Sequence, residues 1–153
     1  MPDKDDSYML DVVRFYGALT EERYRHVAAQ IENRQLSELL SHCASNRAGL
    51  VARFEEAIEE VGGEVGIAEC ATCCSLDSFD LPANDDFATL LDRLAECDEK
   101  VSVIINRELD GRKISAMAHL VVDEALILLE ETIKKLRRII EQADGARSDR
   151  ISI

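Results

Sequence analysis

Residues 62–84, GGEVGIAECATCCSLDSFDLPAN, decide how this chain is expected to fold. They form the one long stretch without apolar residues at helical spacing, and they contain three of the five cysteines. On each side of them the sequence has the pattern of two long amphipathic helices joined by a short turn. Two helical hairpins joined by a long crossover predict an all-α, four-helix bundle in up-down-down-up order, with the crossover between helices 2 and 3.

Apolar spacing and end signals predict the range of each helix. The predicted ranges are about 7–32, 34–61, 84–109 and 113–142. Asp6 or Ser7 is expected to cap the first helix, and Gly62-Gly63 to end the second in a left-handed turn. On the fourth helix the residues predicted to face inward are Ile114, Met117, Val121, Leu128, Leu136 and Ile139. The chain is therefore expected to be one domain over 7–142, between a flexible N-terminus at 1–6 and a disordered tail at 143–153.

The charge balance is strongly acidic, since 31 Asp and Glu face 18 Lys and Arg, for a net charge of −13. Such a surface repels phosphate backbones, so nucleic-acid binding is not expected. The N-terminus MPDKDDSYML is unlike a signal peptide, and no apolar run is long enough to span a bilayer. We therefore expect a cytoplasmic protein that does not bind membranes. Its cysteines should be reduced there, and their odd number argues against a closed disulfide framework.

Polar residues interrupt each apolar stripe near the middle of its helix. The interruptions are Thr20-Glu21, Arg47, Cys97 or Asp98 beside Glu99, and Glu124, in the order of the helices. Because they fall at similar heights along the four helices, they predict a shared polar layer inside the bundle. Its predicted members are Arg47, Asp98, Glu99 and Glu124.

Two local phrases, EERYRHVAA at 21–29 and RFEEAIEEVGGE at 53–64, resemble the ferritin-like superfamily together with the hairpin–crossover–hairpin plan. The resemblance covers about residues 8–142 and is to the rubrerythrin-type and small uncharacterised bacterial branches. Functional members of that superfamily bind two irons. Their ligands are one Glu from each of two helices and a Glu-x-x-His from each of the other two.

Two of the six ligands that this resemblance implies are found, namely Glu99 and Glu124. The other four positions hold residues that cannot take those roles, Gly17, Asn46, Gly49 and Ile127. Arg47 at the same level would repel a divalent cation. We therefore interpret Arg47 as replacing the charge of the metal and pairing with Glu99, Asp98 or Glu124. An atypical metal site and simple exposure of these residues are the alternatives.

The histidines and the crossover cysteines are further candidates. His26 lies four residues after Glu22, as His42 does after Glu38, so each pair shares a helix face. An atypical iron site would draw on Glu22, His26, Glu99 and Glu124, whereas solvated or ion-paired side chains are the simpler interpretation. The thiols of Cys70, Cys73 and Cys74 form a Cys-x-x-Cys motif that could bind zinc or act in redox chemistry. Small residues that pack a crossover are the alternative.

The leading functional hypothesis is a non-enzymatic module that associates with itself, as a dimer, or with a partner protein. Apolar residues beyond those needed inside four helices favour a homo-oligomer, namely Val12, Phe15, Tyr16, Leu19, Ile127, Leu129 and Ile133. No cofactor is expected. The competing hypotheses are an iron-binding oxidoreductase with atypical ligands, and a zinc-binding or redox-sensing protein that uses the crossover thiols.

Overall fold

The computed structural model describes residues 4–66 and 86–151, with side chains described at 4–66 and 86–143. Four α-helices occupy these residues, and none of them forms a strand. The helices are α1 (Lys4–Gln30), α2 (Arg34–Glu60), α3 (Phe87–Asp110) and α4 (Ala116–Ile151). The prediction of an all-α chain with four helices is confirmed.

Side-chain and backbone caps define most of the helix ends. Asn33 and Asp86 each accept a backbone N–H in the first turn of the helix that follows, α2 and α3 respectively. At the end of α2, Gly62 takes a φ of 73° and its N–H bonds to Glu59, while the N–H of Gly63 reaches Ile58. This paired bonding satisfies carbonyls that the last turn leaves open, and only glycine takes that φ at little cost.

Asp6 and Ser7 lie inside α1 rather than at its N-cap, because the helix already begins at Lys4. The carboxylate of Asp6 serves the start of α4 instead, accepting the N–H of Ser115 at 2.8 Å. Ser115 in turn accepts the N–H of Ala118 through its hydroxyl, so α4 begins at Ala116 and not near 113. A cap for one helix is thus supplied partly by another, which spacing within a helix does not reveal.

The far end of α4 extends to Ile151, whereas the apolar pattern ended near 142. Residues 143–151 contain no proline, and their single glycine at 145 costs a helix only about 1 kcal/mol. Helical backbone covers residues 143–151 of the terminal segment 143–153 that was predicted to be a disordered tail.

The fully buried stripe of α4 is shifted by about one position along the helix from the predicted one, while Val121, Leu128 and Ile139 of the predicted set are partly buried and pack against the core. The buried positions are Ala118, Val122, Ala125, Leu129, Thr132 and Leu136, so only Leu136 belongs to both sets. Met117, predicted to face inward, is 66% exposed. The two alanines allow α4 to approach the core closely, and a search for large apolar residues passes over them.

The core consists of two apolar clusters, one on each side of a polar layer. One cluster surrounds Met9, Val13, Phe54 and Ile105, and the other surrounds Tyr24, Leu40, Leu94 and Leu136. All four helices contribute to each cluster. Val12, Tyr16 and Leu129, predicted as surplus surface for oligomerisation, are buried in the first cluster, so they are not available to a partner.

α1 makes contacts with all three of the other helices, and its two ends lie close to the ends of α2. Ser7 lies against Gly63, where a Cβ would come within 2.5 Å of the Ser7 Cβ, and Ser37 donates to the Ala28 carbonyl at 2.7 Å. α1 packs against each of the other three helices, and α3 packs against α4, whereas α2 packs mainly against α1.

Within the described residues no helix is long and apolar enough to cross a bilayer. The cytoplasmic location stays a prediction.

Candidate functional site

The centre of the bundle holds a buried ion pair between α2 and α3. Arg47 donates from Nη1 to Asp98 Oδ1 at 3.0 Å and from Nη2 to Asp98 Oδ2 at 2.7 Å. The two side chains are 1% and 0% exposed. This two-pronged geometry is the strongest that a guanidinium and a carboxylate can form.

Two residues of α1 complete the hydrogen bonding of the pair. The hydroxyl of Tyr24 donates to Asp98 Oδ2 at 2.7 Å, and Arg47 Nη1 also donates to Thr20 Oγ1 at 3.0 Å. The Thr20 hydroxyl donates its own hydrogen bond to the Tyr16 carbonyl at 2.8 Å. The guanidinium carbon lies 5.1 Å from the centre of the Tyr24 ring, a cation–π distance. Three helices therefore meet in one network.

Electrostatics in this network keep Arg47 charged and Tyr24 neutral. Burial lowers the pKa of Arg47, but the charge and hydrogen bonds of Asp98 outweigh burial and raise the pKa overall. Burial, and then the Asp98 charge, raise the pKa of Tyr24 well above its ordinary value. Arg47 therefore stays charged and Tyr24 stays a neutral donor, so neither is poised to exchange protons near neutral pH.

Glu99 and Glu124 do not belong to the buried layer, although the sequence placed them there. Glu99 is 48% exposed and accepts from Arg137 at 2.9 Å, while Glu124 is 46% exposed and accepts from Arg53 at 2.5 Å. One residue along a helix turns the side chain by about 100°. The Glu99 side chain therefore points to the surface, whereas the side chain of Asp98 points into the core.

The four predicted iron ligands have exposed side chains on three helices, with Glu22 and His26 on α1, Glu99 on α3 and Glu124 on α4. Glu22 and His26 are exposed on α1, where His26 Nε2 is 2.9 Å from the Gln30 amide nitrogen. His42 is exposed on α2, and Glu38 accepts from Arg34 at 3.1 Å. Among the residues with described side chains, no group of three or more His, Cys, Asp or Glu is arranged to hold a metal ion.

The thiols fall into two sets. Cys70, Cys73 and Cys74 lie outside the described residues, so their role stays a prediction. Cys43 and Cys97 are buried free thiols beside the Arg47–Asp98 pair. Burial, followed by the charge of Asp98, raises the pKa of Cys97 to about 11, so this thiol is unreactive at neutral pH.

A prediction follows for alkaline pH. The unfolded chain releases the Cys97 proton near its ordinary pKa of about 8.5, while the folded chain holds it to about 11. The unfolded state then binds fewer protons, so stability falls as pH rises through this window. Urea unfolding across the window should show this loss, and Cys97→Ala should reduce it. An equal loss in the variant would assign the effect to other groups, such as Cys43, whose pKa is also raised by burial.

Tyr16 adds a feature that periodicity did not single out. Its ring is 1% exposed, and its hydroxyl has no hydrogen-bond partner among the described residues. It lines a void with Thr20, Arg47 and Leu128 whose size is close to that of one water molecule. A tyrosine inside an apolar stripe carries no sequence signal for this situation.

Another buried carboxylate, Asp11, lies nearer the start of α1 than Thr20 and Tyr24, which contact the central network. Asp11 is fully buried, accepts from Arg14 Nε at 2.6 Å, and accepts the Gly66 N–H at 3.1 Å with each oxygen. It ties the chain just after α2 to α1. Sequence analysis missed Asp11, because a single acid next to a run of apolar residues resembles a solvated position.

Comparisons of the chain with models of protein families, with curated proteins and with solved structures found no match. Function is therefore inferred from the geometry of the buried network and of the helix surfaces.

Proposed function

We propose that the chain is a ferritin-like helical bundle without an intact di-iron centre, and that it acts by association with itself or a partner protein rather than by catalysis. The Arg47–Asp98 ion pair is the observation that carries this proposal. It occupies the middle of the bundle, the level at which ferritin-like proteins place metal ligands on facing helices.

The order of contacts supports an up-down-down-up arrangement. Ser7 beside Gly63 and Ala28 beside Ser37 fit opposite directions for α1 and α2. Asp6 bonds to Ser115, so α4 starts where α1 starts. The ion pair between Asp5 and Arg112 brings the end of α3 to the same place, which fits α3 running parallel to α2. The 67–85 connection would then join opposite ends of the bundle, as a long crossover does.

The chemistry of the central network also supports an absence of metal. Both oxygens of Asp98 already accept from Arg47, and one accepts from Tyr24 as well. A divalent cation there would have to displace a buried guanidinium, whose charge repels it. The two surviving family positions, Glu99 and Glu124, are tied to arginines on different helices at the surface.

The test is metal content. Protein produced in iron-supplemented medium and purified without chelator should carry far less than one iron per chain in native mass spectrometry. Stoichiometric bound iron with ferroxidase activity would overturn the proposal.

The matched control separates the bundle from the crossover thiols. A variant with Cys70, Cys73 and Cys74 changed to serine should carry the same negligible iron. If the wild-type chain holds zinc and this variant does not, the metal belongs to the thiols, and the proposal of an iron-free bundle stands. Iron retained by both forms would place a metal site in the helices.

A further inference from the structure

An open cavity of about 90 Å³ lies where α1 begins, α2 ends and α4 begins. α2 packs mainly against α1, which leaves a gap between α2 and α4. Leu10 and Ala118, both buried, form part of the cavity floor, whereas Glu60 and Met117 are exposed and place its mouth at the surface. A small molecule or a side chain can therefore enter this cavity from solvent.

The carboxylate of Asp6 lines this cavity without a cationic partner. Asp6 is 4% exposed, and its Oδ1 accepts the N–H of Ser115 at 2.8 Å. The described residues supply no hydrogen bond to its Oδ2 and no ion pair to either oxygen, because the arginine at this end, Arg112, pairs with Asp5. A carboxylate can accept about four hydrogen bonds, and buried charges are generally paired. Asp6 therefore retains an acceptor oxygen for a bound donor.

The charges around the cavity favour a cation. Glu60 lines its mouth, and no arginine, lysine or histidine of the described residues lines it. The positive end of the α4 dipole lies here, but so does the negative end of the α2 dipole, and the two partial charges offset each other. Because the whole chain carries a net charge of −13, its field attracts cations from solution.

The walls of the cavity select the kind of cation. Most of the lining is apolar, namely Leu10, Ala57, Val61, Met117, Ala118 and Val121. Such walls offer too few oxygens for Ca²⁺ or Mg²⁺, which take about six or more. A cavity of about 150 Å³ holds benzene, so the smaller volume here suits a short, unbranched alkyl chain. The lining thus fits an alkyl chain that ends in a positively charged hydrogen-bond donor.

We propose that this cavity, called the Asp6 cavity, binds a short primary alkylammonium group. The ammonium donates to Asp6 Oδ2, and the alkyl chain lies against Leu10, Val61 and Val121. A free alkylamine carries this group, and so does a lysine of a partner protein, since a lysine side chain is a butylammonium ion. The cavity shares no residue with the Arg47–Asp98 network, so its test is independent of the metal content of the bundle.

Titration of the isotope-labelled full chain with n-butylammonium chloride, followed by nuclear magnetic resonance at constant ionic strength, tests the cavity. Amide signals of Leu10, Val61 and Ala118 should shift and saturate, with a dissociation constant of roughly millimolar order for so small a ligand. n-Butanol lacks the charge and methylammonium lacks the alkyl chain, so each should bind at least about tenfold more weakly. The proposal fails if butylammonium gives no saturable shifts or if butanol binds as tightly.

Two variants and a matched control locate the ligand. Asp6→Asn keeps an acceptor for the Ser115 N–H but removes the charge, and it should weaken butylammonium binding by about tenfold or more. Ala57→Leu should abolish binding by filling the cavity while Asp6 stays in place. The control is Asp5→Asn, which removes a neighbouring charge outside the cavity and should change the affinity by less than about twofold. Undiminished binding by either cavity variant, with circular dichroism showing it folded, would contradict the proposal. The ligand series on the wild-type chain decides the matter if a variant unfolds.

Nα-Acetyl-lysine methylamide separates the two sources of the ammonium group. Binding within about tenfold of butylammonium assigns the cavity to a lysine side chain of a partner protein, and this arm alone rests on the proposed association function. Weaker binding assigns it to a free alkylamine, because the mouth then excludes a peptide backbone. Stoichiometric iron would overturn the proposed function and leave the Asp6 cavity untouched, so the two failures are distinguishable.

Discussion

Replacing Arg47 with methionine is expected to destabilise the protein by about 3–5 kcal/mol. The substitution keeps most of the side-chain volume but removes the two hydrogen bonds that Asp98 accepts from Arg47 inside the core. Asp98 is 0% exposed, so water cannot replace the lost donors without opening the bundle. Urea unfolding followed by circular dichroism measures this loss directly.

The double variant Arg47→Met, Asp98→Leu is the matched control. With both charges gone, the apolar clusters above and below become continuous, and most of the lost stability should return, less about 1–3 kcal/mol for the buried Tyr24 hydroxyl, which loses its acceptor. If Arg47→Met alone cost less than about 1 kcal/mol, the value of an exposed pair, the ion pair would not be buried as described. A double variant as unstable as the single one would mean that packing, and not charge, dominates this level.

The second large effect concerns two equally buried tyrosines, of which Tyr24 donates a hydrogen bond from its hydroxyl and Tyr16 has no hydrogen-bond partner among the described residues. Tyr24→Phe should cost about 1–3 kcal/mol, because the buried Asp98 carboxylate loses a donor. Tyr16→Phe should be neutral or stabilising, since the Tyr16 hydroxyl has no partner among the described residues and its removal ends a desolvation cost. Both rings are 1% exposed, so differences in burial cannot explain the contrast.

Thermal and urea unfolding of the two variants should therefore differ in sign or at least clearly in size. A loss for Tyr16→Phe as large as that for Tyr24→Phe would show that Tyr16 has a hydrogen-bond partner, such as a water in the adjoining void. The comparison also reports on Asp98, because only the Tyr24 variant changes its surroundings.

Interrupted periodicity was enough to find the buried network but not to choose its members. Arg47 follows from the heptad spacing of α2, since its neighbours on the stripe, Cys43 and Leu50, are buried. On α3 the spacing allowed either Cys97 or Asp98, and the structure buries both, with Asp98 bonded to Arg47. Glu99 was included because it is adjacent in sequence and matches a ligand position that the ferritin-like resemblance implies, but adjacent residues on a helix point in different directions.

The fourth helix shows a different limit of sequence analysis. Large apolar residues occupy two neighbouring stripes of α4, and their spacing alone does not decide which stripe faces inward. The buried stripe contains Ala118, Ala125 and Thr132, whose small side chains fit where helices approach closely. The stripe of large apolar residues was taken to face inward, so Glu124, which lies on that stripe, was predicted to be in the core, and Ala125 on the neighbouring stripe was not. Contacts such as Asp6 with Ser115 join residues far apart in sequence and could not be read from periodicity.

The polar layer between the two apolar clusters has a consequence for how the chain folds. Stripes of Leu, Val and Ile are nearly interchangeable, so a helix displaced by one turn would still bury similar apolar area. If α2 were displaced in this way, the Arg47 guanidinium would lie among hydrocarbon side chains and Asp98 would lose its two hydrogen bonds from Arg47, at a cost that apolar contacts do not recover. The ion pair therefore widens the energy gap between the native packing and its nearest competitors, which favours a single cooperative folding transition over a set of interconverting compact states.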